Sequence, residues 1–566
     1  VVEQDYGAYT AIDHAAWRYI LRVSRRFFQK TAHPHYLEGL AATGIATERI
    51  PRISEMDACL QRFGWRAVGV SGFIPPAVFM AFQSLGVLPI ACDMRQLEHI
   101  AYTPAPDIVH EAAGHAPFIA HPDYAAYLRR YGEISRKAIS SAEDFDVYLA
   151  IRRLSEVKES PLAAAEEIAQ AQQRFEAACQ AVTHVSEAAY LSRLYWWTVE
   201  YGLVGSVESP QIYGAGLLSS VGESYHCLSG AVAKLPFSLG CIQTGYDITR
   251  PQPQLFVAPD FASLSNVLES LAETMAFRLG GLGSLEKALA ARAVTTVALD
   301  SGLQISGILS EALPHPGQAD AAAFLRFQGP CQLAYGDEEL PGHGGDYHAH
   351  GYSTPLGRLA GLGKTLSDAT DVELGLEIGK PARLEFDSGV VLEGCLQETL
   401  TREGRRLLLQ WTDCRLSWQG ETLFDPGWGA FDLACGSGVV PSVFGGPADM
   451  VRYAHFLETG LDSSTQHQHS NALRQDSRLI DLYERVRAFR EGQQPLTPAA
   501  LQSVGDALAQ EFPTDWLLRL ELLELAQRLP GGDGLATLLR EQLQTLCVDS
   551  AETEELIARG LALLNP

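Results

Sequence analysis

The chain has 566 residues, 46% hydrophobic and 20% charged, which is material for about two to four globular domains and excludes a disordered or low-complexity chain. Asp and Glu number 68 against 43 Lys and Arg, and the net charge of -25 would repel phosphate backbones and anionic lipid, so no nucleic-acid partner is expected. The 10 cysteines lack paired spacing, no basic and apolar leader opens the sequence, and no stretch has the apolar length of a membrane span; a cytoplasmic protein with reduced thiols and no membrane contact is expected.

The first half reads as mainly helical, with apolar residues three and four apart in AAWRYILRVSRRFF (15–28) and AYLSRLYWWTVEYGLV (189–204). Between these runs, PDIVHEAAGHAP (106–117) sets His110 and His115 five residues apart. On an α-helix that offset is roughly 140°, so an unbroken helix would not aim both imidazoles at one ion. Gly114 offers a way round: a left-handed glycine ends the helix and lets His115 fold back toward His110. A zinc peptidase needs its histidines at i and i+4, and here the second comes one position late although Glu111 is correctly placed. A mononuclear non-haem iron asks for two histidines and one carboxylate with open positions left over. Glu200, an acid inside an aromatic and apolar run, is the best third ligand, because a metal would offset the cost of burying it.

Helix SNVLESLAETMAFRLGG (265–281) is expected to end at Gly280 and Gly281, placing a boundary near 285. Residues 286–445 then form a small β-rich domain, with hairpin turns at Asp387-Ser388-Gly389, Arg402-Glu403-Gly404 and Gln419-Gly420. Its glycine-rich loop GHGGDYHAHGYSTPLG (342–357) carries His343, His348 and His350, but no ligand set at metal spacing accompanies them, and solvated histidines are the stronger reading. Trp411, Trp418 and Trp428 and the turn-rich stretch 424–446 should pack against the first domain. Residues 446–566 return to helices, with Thr497, Thr514 and Ser550 as caps and an apolar stripe of Leu518, Leu522, Leu525 and Leu529 suited to a homo-oligomer contact.

Three blocks, YTPAPDIVHEAAGHAPFIAHPDYAAYL, YWWTVEYGL and YGAGLLSSVGESYHCLS, resemble in order and spacing the catalytic domain of the pterin-dependent aromatic amino acid hydroxylases. The likeness runs from about Tyr9 to Phe277. It implies a mainly α catalytic domain of that type over 1–285, ahead of the β-rich and helical C-terminal parts. By the resemblance His110, His115 and Glu200 bind Fe(II), and Arg95 holds the substrate carboxylate, a two-pronged task suited to guanidinium. Tyr102, Thr103, Pro106, Trp196, Gly216 and Ser219 match the substrate pocket. Gly72, Phe73, Ile74, Phe79, Glu111 and Tyr195 match the side of the site that meets tetrahydrobiopterin or a related tetrahydropterin. Pro75, Pro76 and Pro89 depart from the animal enzymes, the last standing where they have a histidine. The implied reaction uses O2 to hydroxylate a small-molecule amino acid, phenylalanine to tyrosine first of all. Tryptophan, tyrosine or another ring position by the same chemistry, and a zinc-dependent hydrolase with Glu111 as base, are the alternatives.

Overall fold

The computed structural model describes residues 1–71, 74–101, 106–159, 163–248, 250–457, 475–546 and 550–564. The first long helix, Ala11–Thr31, begins with a capping box between Thr10 and Asp13 and is buried on most sides. That burial has two sources. One flank packs on the first half of the chain, where the indole N–H of Trp17 donates to the Ala46 carbonyl at 2.9 Å. The other packs under the C-terminal helices, where the Tyr19 hydroxyl donates to the Leu556 carbonyl at 2.6 Å. A single apolar core therefore runs from the N-terminal helices into helices Ser477–Arg490, Pro498–Glu511, Leu517–Arg528, Asp533–Leu546 and Ala551–Leu564.

Helix Leu517–Arg528 is buried all round, including Glu521 and Glu524. Its stripe of Leu518, Leu522 and Leu525 lies inside the chain and offers no surface for self-association. Thr497 and Ser550 cap helices, as their spacing suggests, but beside Thr514 it is the Asp515 carboxylate that accepts from the Leu518 amide at 2.9 Å.

Two small sheets flank the site region: a parallel pair, Arg66–Val70 with Val87–Ala91, and a four-stranded sheet built on Leu203–Ser206 and Gln254–Ala258. Pro89 lies in the first pair, opposite Val68. Gly280 and Gly281 both take positive φ, yet they act as a joint rather than an end. The Asp320 carboxylate accepts from the Leu282 amide at 2.7 Å, and a new helix, Gly281–Ala291, starts there. Leu285, Ala288 and Ala291 of that helix belong to the core of the following sheets, which also takes in Ala276 just ahead of the glycine pair.

Antiparallel strands Val294–Ala298, Leu303–Pro314 and Ala322–Tyr335 form a meander, with Gly351–Pro355 and Ser442–Gly445 completing most of a six-stranded sheet. A five-stranded sheet is centred on Val390–Arg402 and Arg405–Trp418, and all three hairpin turns occur where the sequence places them. The two cores meet along Arg405–Trp418, which gives Leu408 to one and Leu409 and Trp411 to the other. Trp411 is thus core, while Trp428 is exposed. The β region docks on the first half: the Gly445 amide donates to the Lys137 carbonyl at 3.1 Å, and Lys287 pairs with Glu187 at 2.9 Å.

Among the described residues no helix is long and apolar enough to cross a membrane. The described cysteines are free thiols.

Candidate metal centre

His110 and His115 lie on Val109–His115, and Glu200 closes Trp196–Glu200; both segments are π-helical turns. The Ala116 amide donates to the Glu111 carbonyl and the Tyr201 amide to the Trp196 carbonyl, each five residues back. In such a turn residues five apart stand one above the other, which removes the angular offset an α-helix would impose. Gly114 accordingly stays helical and does not take positive φ, contrary to the folding-back expected of it. Its lack of a side chain serves packing instead: a Cβ there would lie 2.7 Å from the Ala215 carbonyl oxygen. Gly216 repeats the device, since a Cβ would meet the Glu200 carbonyl oxygen at 3.1 Å.

The His110 and His115 Nε2 atoms stand 3.1 Å apart, and the Glu200 carboxylate lies 3.4 Å from the first and 3.3 Å from the second. Glu200 offers Oε2 to His110 and Oε1 to His115, and these spacings are those of ligand atoms about 2.0–2.1 Å from one shared ion. One ion set between the three groups would be held by all of them and keep its far side open. Without a cation, two imidazole nitrogens and a carboxylate face one another in a pocket where His115 is 1% exposed. The donor set therefore fits a metal.

Burial pushes His110 down to about 4, against the pull of Glu200, so its ring is neutral and free to ligate. Burial raises Glu200, but His115 and His110 outweigh it and hold the carboxyl below its ordinary range. The Ser219 hydroxyl lies 3.0 Å from His110 Nδ1, and because it donates to the Gly216 carbonyl its oxygen is left to accept from Nδ1–H, which frees Nε2 for the ion. His115 Nδ1 is buried without a partner among the described residues.

Arg95 sits one step further out, wholly buried against Asp107, whose carboxylate accepts from Nε and Nη2 at 2.8 Å each. Asp107 also accepts from the His110 amide at 3.0 Å, and Arg95 Nη1 donates to the Ser219 carbonyl at 2.9 Å. One N–H on each terminal nitrogen stays uncommitted among the described residues, enough for a second carboxylate end-on. The sequence reading missed Asp107; its signal was an acid three residues ahead of the first histidine.

The Trp196 ring stacks on Tyr246 at 4.3 Å and on Tyr201 at 4.5 Å, making an aromatic block beside Glu200. Pro106 is exposed at the entry to the histidine segment. On the other side, Phe79 meets Tyr195 edge-on at 6.3 Å, and buried Gln83, also missed, donates to the Tyr195 hydroxyl at 2.7 Å. Glu111 is pushed up to about 8 by burial, and its Oε2 has no hydrogen-bond partner among the described residues. Ile74, partly buried, precedes helix Pro76–Ser84, which opens on two prolines suited to a helix start. Gly72, Phe73, Tyr102 and Thr103 lie outside the described residues.

Residues 5–146 and 156–279 match the model of the biopterin-dependent aromatic amino acid hydroxylases. A phenylalanine-4-hydroxylase of Vibrio cholerae is 29% identical over 255 residues, covering 44% of this chain and 73% of the relative. One of Pseudomonas aeruginosa is 29% identical over 258 residues, covering 45% and 81%. Among solved structures, the iron(III)-bound phenylalanine hydroxylase of Chromobacterium violaceum is 27% identical, with 48% of this chain and 85% of that chain covered and a TM-score of 0.38. The first half of the chain, with its paired π turns and converging ligands, resembles the biopterin-dependent aromatic amino acid hydroxylase family.

Proposed function

We propose that the chain is a pterin-dependent, non-haem iron monooxygenase that hydroxylates the ring of an aromatic amino acid, phenylalanine to tyrosine. The convergence of His110, His115 and Glu200 carries this reading, and relatives named phenylalanine-4-hydroxylase over the same half of the chain support it. In it those three side chains hold Fe(II), which with O2 and two electrons from a tetrahydropterin supplies the oxidising power to place one oxygen atom on an arene.

The chain's own residues do the positioning. Arg95, held by Asp107, presents its two free N–H groups to the substrate carboxylate beside Pro106 and Gly216, and the family resemblance assigns Tyr102 and Thr103 to the same pocket. Ser219 keeps His110 in the ligating tautomer. The stack of Trp196, Tyr201 and Tyr246 keeps water from one flank. Glu111, whose Oε2 has no hydrogen bond among the described residues and lies 4.0 Å from His115 Nε2, faces the pterin together with Tyr195, Phe79 and Ile74, and the family resemblance assigns Gly72 and Phe73 to the same role. The same chemistry on tryptophan or tyrosine is the second reading. The hydrolase alternative gains from the π turn, which cancels the spacing objection, but nothing in the family match favours it.

The test incubates the full chain with ferrous iron, tetrahydropterin, O2 and an amino acid panel, with mass spectrometry for products heavier by one oxygen. Tyrosine formed from phenylalanine is expected, and its loss in His110→Ala or Glu200→Ala. No oxygenated product from any aromatic amino acid, with iron bound, would overturn the reading.

A further inference from the structure

We propose that His343, His348 and Asp432 form a second metal site, in the β region, that binds one divalent first-row transition-metal ion such as zinc(II). The three come from distant parts of the sequence. His343 and His348 lie on the glycine-rich loop after Glu338–Glu339, and Asp432 lies on strand Phe431–Ala434. Their ligand atoms gather as closely as a metal site requires. His343 Nδ1 is 3.4 Å from His348 Nε2, and the Asp432 carboxylate lies 3.9 Å from the first and 4.0 Å from the second. A circle through three atoms so spaced has a radius of about 2.2 Å, at the upper end of metal–imidazole and metal–carboxylate bonds. An ion fits between them with closure of a few tenths of an ångström.

The loop is fixed by its backbone rather than by these side chains. The Leu333 amide donates to the His343 carbonyl at 2.9 Å, and the Cys331 amide to the His348 carbonyl at 3.1 Å, so strand Ala322–Tyr335 holds both histidines in place. Asp432 is paired in register with Gln410, whose amide donates to Oδ1 at 3.2 Å. Its side chain is 3% exposed, and among the described residues its ion-pair partners are these two imidazoles, with no Lys or Arg in reach. A buried carboxylate facing two imidazoles calls for a cation, and imidazole ligands select a transition metal over calcium or magnesium. Tyr347, half exposed, packs its ring 4.7 Å from that of His348 and closes one side. His350 is exposed and takes no part. Bound there, the ion would tie the loop to the strand that runs beside Arg405–Trp418, and so link the two sheets.

The test uses the full chain, stripped with chelator and dialysed against zinc sulfate, with zinc counted by plasma mass spectrometry and melting followed in parallel. A variant carrying His115→Ala and Glu200→Ala isolates the new site: it is expected to keep one equivalent of zinc, and zinc is expected to raise its Tm. Adding Asp432→Asn, or separately His343→Gln, should remove that equivalent and the Tm rise. Circular dichroism confirms that each variant is folded. No zinc in the isolating variant, or the same zinc after both added changes, would overturn the proposal.

Discussion

Ser219 touches both halves of the candidate site: its hydroxyl meets His110 Nδ1 and its carbonyl accepts from Arg95. Ser219→Ala removes the first contact and leaves the second, so iron affinity should fall by about 10–100-fold while the fold survives. Iron titration of the variant decides; an unchanged Kd would mean that another group fixes the tautomer. Arg95→Lys keeps the charge but cannot make the paired hydrogen bonds to Asp107, whose buried carboxylate is left with a poorer partner. Amino acid binding should weaken by about 1–3 kcal/mol, read by calorimetry on the iron-loaded protein. Equal affinity would show that Arg95 serves only to brace Asp107. At this scale the sequence was informative where residues cluster in one motif, as for His110, Glu111 and His115. It was silent where a partner is supplied by folding, and Asp432, 84 positions beyond His348, is the plainest case.

Between residue and domain, the π turns show where pattern reading reaches its limit. A period of 3.6 gives His110 and His115 different faces, and only one extra residue per turn, bonded amide to carbonyl, brings them together. No composition signal marks such a turn. The hairpins of the second sheet were readable because each needs a positive φ at its tip, and Glu403, Gly404, Gln419 and Gly420 take it. Helix Ala11–Thr31 was readable as a helix, but its cover was not. Within it His14 is buried, and its Nδ1 accepts from the Ile50 amide at 3.2 Å. Burial, then the charges of Arg487 and Arg18, push its pKa down from 6.5 to about 4. Between those values the unfolded chain takes up a proton that the folded chain refuses, so this residue's contribution is present above pH 6.5 and is lost as pH falls toward 4. The loss is at most about 3 kcal/mol. Unfolding free energies measured across that window should fall less steeply in His14→Gln, which keeps an acceptor for Ile50. Parallel curves would place the titration elsewhere.

For the molecule as a whole, the question is what the C-terminal helices do for a site they do not contain. Their leucine stripe suggested an oligomer contact, and the structure puts them under the first helix. Arg18 pairs with Glu521 at 2.5 Å and Arg22 with Glu524 at 2.8 Å, all but Arg22 nearly buried. Cutting the chain near Phe277 would strand these arginines and bare an apolar face, so such a fragment should aggregate. A gentler probe is Arg559. Its guanidinium lies 4.0 Å over the Tyr225 ring and donates to the Val221 carbonyl at 2.8 Å, two residues past Ser219. Tyr225 in turn stacks on Phe27 at 3.8 Å, and the Ser220 hydroxyl donates to the Ala101 carbonyl at 2.8 Å. The segment bearing Ser219 is thereby held from behind by the last helix. Arg559→Ala removes contacts worth about 1 kcal/mol, too little to unfold the chain but enough to loosen that segment. Iron content should stay unchanged, while KM for the amino acid rises several-fold and more pterin is oxidised per product formed. An oligomer contact would instead change the mass in solution. Unchanged KM and coupling in Arg559→Ala would mean that the helices support the first helix alone and not the site.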